Sequence, residues 1–278
     1  MKNGKSTLKE LLGQLPLTAE VYGMLRQPGK SLTADFSLDQ LDQNLSAWKA
    51  QAALGKKSAL PGKKVFIFGM LRYWLEHASL LGLALAGMGH SVTLAYLPYA
   101  KWQTPMVRFN LRRQSLYSQG VLVQADPLLK LLPLATTKQE HQLPTMLEQA
   151  VRLVALRDTQ YTLQVEEVSE DSDLYRLRLE RNLAAAKAAF AWLRKERPQV
   201  VILPNGTILE FGALYQVARY LSIPTITYEF GEQRGRIWLA QNAEVMRQST
   251  DDLWSRRKNT PLTEAQLAQT RKLLETRQ

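Results

Sequence analysis

Five residues with no polar member, Val65-Phe66-Ile67-Phe68-Gly69, come directly after a pair of lysines. A strand with one wet face alternates polar and apolar residues. An unbroken apolar run instead predicts a strand covered on both faces, as in a parallel sheet between helices. The next segments agree with that reading. Residues 73–87 read as a helix closed by Gly87 and Gly89, and SVTLAYL (91–97) is a second β-branched run. The pattern recurs late in the chain: QVVIL (199–203), the turn Pro204-Asn205-Gly206, a helix over 207–221, and PTITY (224–228). Two strand-helix-strand units predict an α/β chain built on a Rossmann-like parallel sheet with flanking helices.

Between the two units the signals are weaker. The run GVLVQ (120–124), ending at Asp126-Pro127, reads as a third strand, and 128–134, 146–156 and 173–195 read as helices. Residues 1–62 form a helical N-terminal extension with periodic Leu38, Leu41, Leu45 and Trp48, interrupted at Pro16, Pro28-Gly29 and Pro61-Gly62. The main domain covers 63–248. After Phe230 the chain turns polar, and 249–278 reads as C-terminal linker helices, the last opened by Thr260 as N-cap with Pro261 at the first helical position.

Composition narrows the chemistry. With 278 residues and 45% hydrophobic side chains the chain can bury a full core. It contains no cysteine, which excludes disulfides, thiolate nucleophiles and Cys-bound zinc. The three histidines, His77, His90 and His141, lack ligand spacing, so neither a metal nor a cofactor is expected. The most apolar stretch, 78–89, is 12 residues long, short of the roughly 18 to 20 a bilayer-spanning helix needs. The amino terminus lacks a signal-peptide pattern, so the expected location is cytoplasmic, extending to the inner face of the membrane. Two motif fragments mislead. Gly29-Lys30-Ser31 has Met24 where a phosphate loop needs glycine, and Gly82 to Gly89 lies inside a helix rather than at a strand end.

In open parallel sheets ligands bind beyond the carboxyl ends of the strands, which selects three loops. In the first, Gly69 is expected to make the turn, while Arg72 and Tyr73 are candidate substrate contacts. His77, one turn further on, is a candidate general base if it faces the crevice and a structural histidine otherwise. The second loop offers Asn205 and Gly206, with Asn205 either binding ligand hydroxyls or capping the next helix. The third, Tyr228 to Arg236, crowds two carboxylates, two guanidiniums and two glycines together. Glu229 is its candidate base, with Gly231, Arg234 and Arg236 as candidate substrate contacts, against the plainer reading of a solvated ion-paired loop.

The formal charge of +11 predicts attraction to anionic partners. No Asp or Glu occurs from His77 to Ala125, and Lys101, Trp102, Arg108, Arg112 and Arg113 mix cations with an aromatic ring. That mixture suits an anionic membrane surface or a lipid-linked acceptor, and equally a solvated basic face. Nucleic acid is the least favoured partner.

The stretch TITYEFGEQRGRIWLAQNAEVM (225–246), following VVILPNGTILEFGALYQVARYLSIP, resembles the end of the N-terminal domain in GT-B glycosyltransferases of the bacterial capsular-polysaccharide kind. DDLWSRRKNTPLTEAQLAQTRKLLETR resembles the linker helix that leads to their second domain. The resemblance implies an acceptor-side half of a glycosyltransferase, with Glu229 and Gly231 on the family motif and Asn205 at a matching loop position. It also implies a sugar or lipid-linked acceptor and a nucleotide-sugar donor held mainly by an absent domain or partner subunit. The alternative is a non-catalytic module that recruits glycan-synthesis machinery to a membrane.

Overall fold

The computed structural model describes residues 34–231, 235–247 and 250–275, together with Thr18 and Val21. Its centre is a six-stranded sheet. The strands are β1 (Lys64–Met70), β2 (Ser91–Leu97), β3 (Leu129–Pro133), β4 (Val200–Pro204), β5 (Thr225–Phe230) and β6 (Ile237–Gln241), in the order β3-β2-β1-β4-β5-β6. The first five run parallel, and β6 returns antiparallel to β5. This is an α/β fold of Rossmann-like type. Strand order reverses between β1 and β4, the place where such sheets open a crevice.

Alternation along β1 divides the core. Phe66, Phe68 and Met70 point into one apolar layer, Val65 and Ile67 into the other, all nearly without solvent exposure. Burying each such side chain contributes about 1.5–3 kcal/mol. The Val65 and Ile67 face is covered by α1 (Asp39–Ser58), α2 (Leu71–Gly87) and α3 (Arg108–Leu122). The opposite face is covered by α4 (Thr145–Leu163), α5 (Asp173–Glu196) and α6 (Leu209–Tyr220). Leu38, Leu41 and Leu45 are buried at helical spacing, so α1 lies against the sheet-covering α2. Trp48, read as part of the same stripe, is half exposed.

The structure corrects three readings and adds a strand where none was read. GVLVQ (120–124) is not a strand: it ends α3 and forms a short 3-10 turn at Val123–Ala125. Its apolar side chains, Val121 and Leu122, are buried at the end of a helix whose earlier turns are polar outside and buried at Phe109 and Tyr117. A short apolar run cannot by itself distinguish these cases. The third strand is instead β3, within the stretch read as a helix; Leu129 to Pro133 pair with Val92 to Tyr96. Pro133 is tolerated because β3 is the edge of the sheet, where a missing N–H breaks no ladder on the open side. The segment after Phe230, read only as turning polar, contains β6. Finally, the last helix opens at Thr263 rather than Thr260. Thr263 Oγ1 accepts the Gln266 N–H, and Gln266 Oε1 accepts the Thr263 N–H, a reciprocal capping box.

The chain divides into two compact units, the first ending at Met246 and the second beginning at Arg247. The second contains α7 (Asp251–Arg257) and α8 (Glu264–Glu275), neither of which has a buried residue. Among the described residues no helix is long and apolar enough to cross a membrane.

Candidate functional site

β4 and β5 pair so that Pro204 lies opposite Tyr228, which brings Asn205 and Glu229 together at the strand ends. The Asn205 N–H donates to the Tyr228 carbonyl at 2.7 Å. Its side chain then makes three bonds. Oδ1 accepts the N–H groups of Thr207 (2.9 Å) and Ile208 (3.2 Å), and Nδ2 donates to Glu229 Oε2 at 3.2 Å. Asn205 adopts φ +58, a left-handed conformation that asparagine tolerates better than most residues. It therefore both caps the loop amides and holds Glu229. The helix proper starts at Leu209, with Ile208 as the residue preceding it.

Gly206 comes next with φ +82, and a Cβ there would lie 2.6 Å from Thr227 Cγ2. Only glycine lets this loop settle onto β5. Thr227 is buried and turns its hydroxyl to the next layer: Oγ1 donates to the Ala243 carbonyl at 2.7 Å and accepts the Val245 N–H at 2.9 Å. Those bonds fix the segment after β6 and bring Met246 over the loop.

The result is a cavity of about 410 Å³ at the carboxyl edge of the sheet, a size that suits a small organic ligand. Its apolar surface comes from Ile208, Leu209 and Phe211 at the head of α6, with Trp74, Tyr161 and Met246 from three other segments. Asn205, Thr207 and Glu229 supply its polar groups. The Thr207 hydroxyl is buried and has no hydrogen-bond partner among the described residues. Trp74 stands against an aromatic bank, with ring centroids 4.9 Å from Phe230, 5.6 Å from Tyr228 and 5.9 Å from Phe211.

His77 is not at this cavity. Successive residues of β5 face opposite sides, so Tyr228 and Phe230 meet α2 while Glu229 meets the α6 side. His77 packs on the former pair, its centroid 5.2 Å from Tyr228 and 5.0 Å from Phe230, with Nδ1 3.1 Å from the Tyr228 hydroxyl. Burial lowers the His77 pKa and raises that of Tyr228, which the Glu229 carboxylate raises further. A hydroxyl that keeps its proton facing a neutral imidazole is a structural hydrogen bond, and the two candidate bases do not converge.

The other predicted contacts are scattered. Gly69 does not make the turn after β1: it lies within the strand, and Leu71 takes the left-handed conformation at φ +59. What Gly69 permits is close packing, because a Cβ there would sit 3.0 Å from Leu75 Cα. Arg72 is exposed, and its charge partly offsets the effect of burial, which raises the Glu76 pKa. Tyr73 is half exposed and lies against Phe230 at 5.1 Å. Gly231 closes the β5–β6 hairpin by donating its N–H to the Arg236 carbonyl at 2.9 Å, leaving the Arg236 residue exposed. Arg234 lies outside the described residues.

The basic stretch after β2 is largely engaged within the protein. Lys101 Nζ is 3.3 Å from Asp35, and Trp102 is half buried against the core. Arg113 stacks 5.8 Å from the Phe109 ring, Arg112 is partly buried, and Arg108 is exposed. Two arginines of α5 clamp this loop. Arg181 donates to the carbonyls of Lys101, Trp102 and Thr104 and covers the Tyr99 ring at 4.1 Å. Arg178, fully buried, donates to the Trp102 carbonyl, to Asp158 Oδ2 at 2.5 Å and to Glu210 Oε2 at 3.0 Å. Burial raises the Asp158 pKa against the opposing pull of Arg178.

Sequence reasoning missed Trp74, Tyr161, Thr207, Phe211 and Met246, as well as the Arg178 cluster. Trp74 and Thr207 adjoin the predicted contacts Tyr73 and Gly206, so the strand-end rule reached their neighbours. Met246 depends on β6, a strand that composition does not reveal. No family model matches the chain, and no curated protein is significantly similar to it, so the site rests on its own geometry.

Proposed function

We propose that this cavity receives the acceptor sugar of a glycosyl transfer, the chain forming the acceptor-side half of the enzyme. The donor nucleotide sugar then meets it from a second domain or a partner subunit. One observation carries the reading: a hydrogen-bonded Asn205–Glu229 pair lies beside Trp74 in a cavity at the carboxyl edge of a Rossmann-like sheet. A sugar ring has an apolar face and a hydroxylated rim. Trp74 offers an aromatic surface to the first, and Glu229 and Asn205 offer acceptors and donors to the second. In this reading, Glu229 takes the proton from the attacking hydroxyl of an inverting transfer.

Saturation-transfer NMR with simple methyl glycosides tests the binding step. Binding to the chain and its loss in Trp74→Ala are expected, whereas absence of binding by any glycoside overturns the proposal. In a reaction completed with a nucleotide-sugar-binding partner, Glu229→Gln is expected to lower transfer by about 100-fold or more. An unchanged rate removes the base assignment.

A further inference from the structure

We infer that the cavity accepts uncharged or aminated sugar rings and refuses acidic ones, with Glu229 setting the preference; this rests on the saccharide reading above. Three independent observations lead there. First, among the described residues no lysine or arginine lines the cavity, and its one carboxylate is Glu229. Arg72 and Arg236, the described arginines among the candidate substrate contacts, lie outside the lining.

Second, the loop leading into α6 has given up the amides with which such folds hold phosphate. Asn205 Oδ1 already accepts from Thr207 and Ile208, and the Gly206 N–H is turned back onto the Pro204 carbonyl at 2.6 Å. Third, the positive end of α6 carries an acid of its own. Glu210 stands in the first turn, fully buried, and shares the cation Arg178 with Asp158. Arg178 is thus matched by carboxylates and leaves no surplus positive charge for an anion in the cavity.

An incoming carboxylate or phosphate therefore sheds water without gaining a cation or an N–H from the described residues, and meets Glu229 as a like charge. A hydroxyl or ammonium group instead donates to Glu229. Each carboxylate oxygen already accepts one bond, Oε2 from Asn205 and Oε1 from the Phe230 N–H, and each keeps capacity for another.

The test compares methyl glucoside, methyl glucosaminide and methyl glucuronide by competition NMR at neutral pH and low salt. The glucuronide is expected to bind at least about tenfold more weakly than the glucoside, and the glucosaminide at least as tightly. Glu229→Gln is expected to shrink the glucuronide penalty, read as the ratio of the glucoside and glucuronide affinities within the same variant, to about threefold or less. On the unaltered chain, raising salt from about 20 to about 500 mM is expected to relieve part of that penalty, a readout that does not depend on the variant folding. Equal binding of glucuronide and glucoside, or a penalty unmoved by both Glu229→Gln and salt, overturns the inference and leaves the saccharide reading standing. Failure of all three rings to bind overturns both.

Discussion

Asn205 is bonded to Glu229 through Nδ2 while its Oδ1 holds two amides of its own loop, so one side chain organises both the carboxylate and the backbone of the cavity. Removing it has separable effects. Asn205→Ala strands two amides and places alanine at φ +58, for a combined cost of about 2–3 kcal/mol. Asn205→Gly relieves the backbone part and is expected to recover about 1 kcal/mol of that loss. Asn205→Asp keeps the acceptor but sets two carboxylates against each other. They should share a proton in the folded state, so stability should fall as pH rises from the ordinary carboxylate range. Urea denaturation of the three variants across pH distinguishes these terms.

Two glycines predict opposite responses to the same substitution. Gly206→Ala forces a side chain into φ +82 with Thr227 Cγ2 2.6 Å away, so it should destabilise by about 2–4 kcal/mol and disturb the cavity. Gly120, inside α3, has open space around the position a Cβ would take, and Gly120→Ala should stabilise by about 0.5–1 kcal/mol. Thermal melting of both variants checks the pair, with ligand binding retained only in the second.

The buried strands were legible because burial on both faces leaves an unbroken apolar run. SVTLAYL occupies β2 residue for residue, and VFIFG lies wholly within β1. Edge strands leave weaker traces. LKLLP in β3 and IWLAQ in β6 are partly or largely exposed, so their composition does not separate them from helix or loop. At the site, the strand-end rule found Asn205 and Glu229 because it follows from topology. It also put forward His77, since sequence does not tell which side of the sheet a helix covers. The Arg178 cluster was invisible for a similar reason: Asp158, Arg178 and Glu210 come from three helices and meet only after packing.

His77 gives the chain a pH dependence of definite sign. Its ordinary pKa of 6.5 applies to the unfolded chain, and burial lowers it in the folded one. Between those two values the unfolded chain holds a proton that the folded chain refuses. Stability should thus be complete above about pH 6.5 and decline as pH falls from there toward the folded pKa. His77→Gln, which still offers an acceptor to the Tyr228 hydroxyl, should flatten this contribution. Comparing urea midpoints of the two proteins at about pH 5 and about pH 7.5 isolates it, because His90 and His141 are common to both. An identical slope in the variant rejects the assignment.

Arg178 should be costly to lose. It is fully buried, and its guanidinium is the partner that Asp158 and Glu210 share in their ion pairs. Burial works against its charge, but Glu210 and Asp158 outweigh that and raise its pKa. Arg178→Met strands two buried carboxylates and should cost about 3–5 kcal/mol. Replacing all three charged residues, as Arg178→Met with Asp158→Leu and Glu210→Met, removes the stranded charges and should recover more than half of the loss. Arg181→Met is the local counterpart. It releases the carbonyls of Lys101 and Thr104 while the Arg178 cluster stays intact, so it should accelerate amide hydrogen exchange in the loop after β2 more than in the sheet. If the triple variant were no more stable than Arg178→Met, the cost would lie in lost packing or in the loop contacts rather than in unpaired charge.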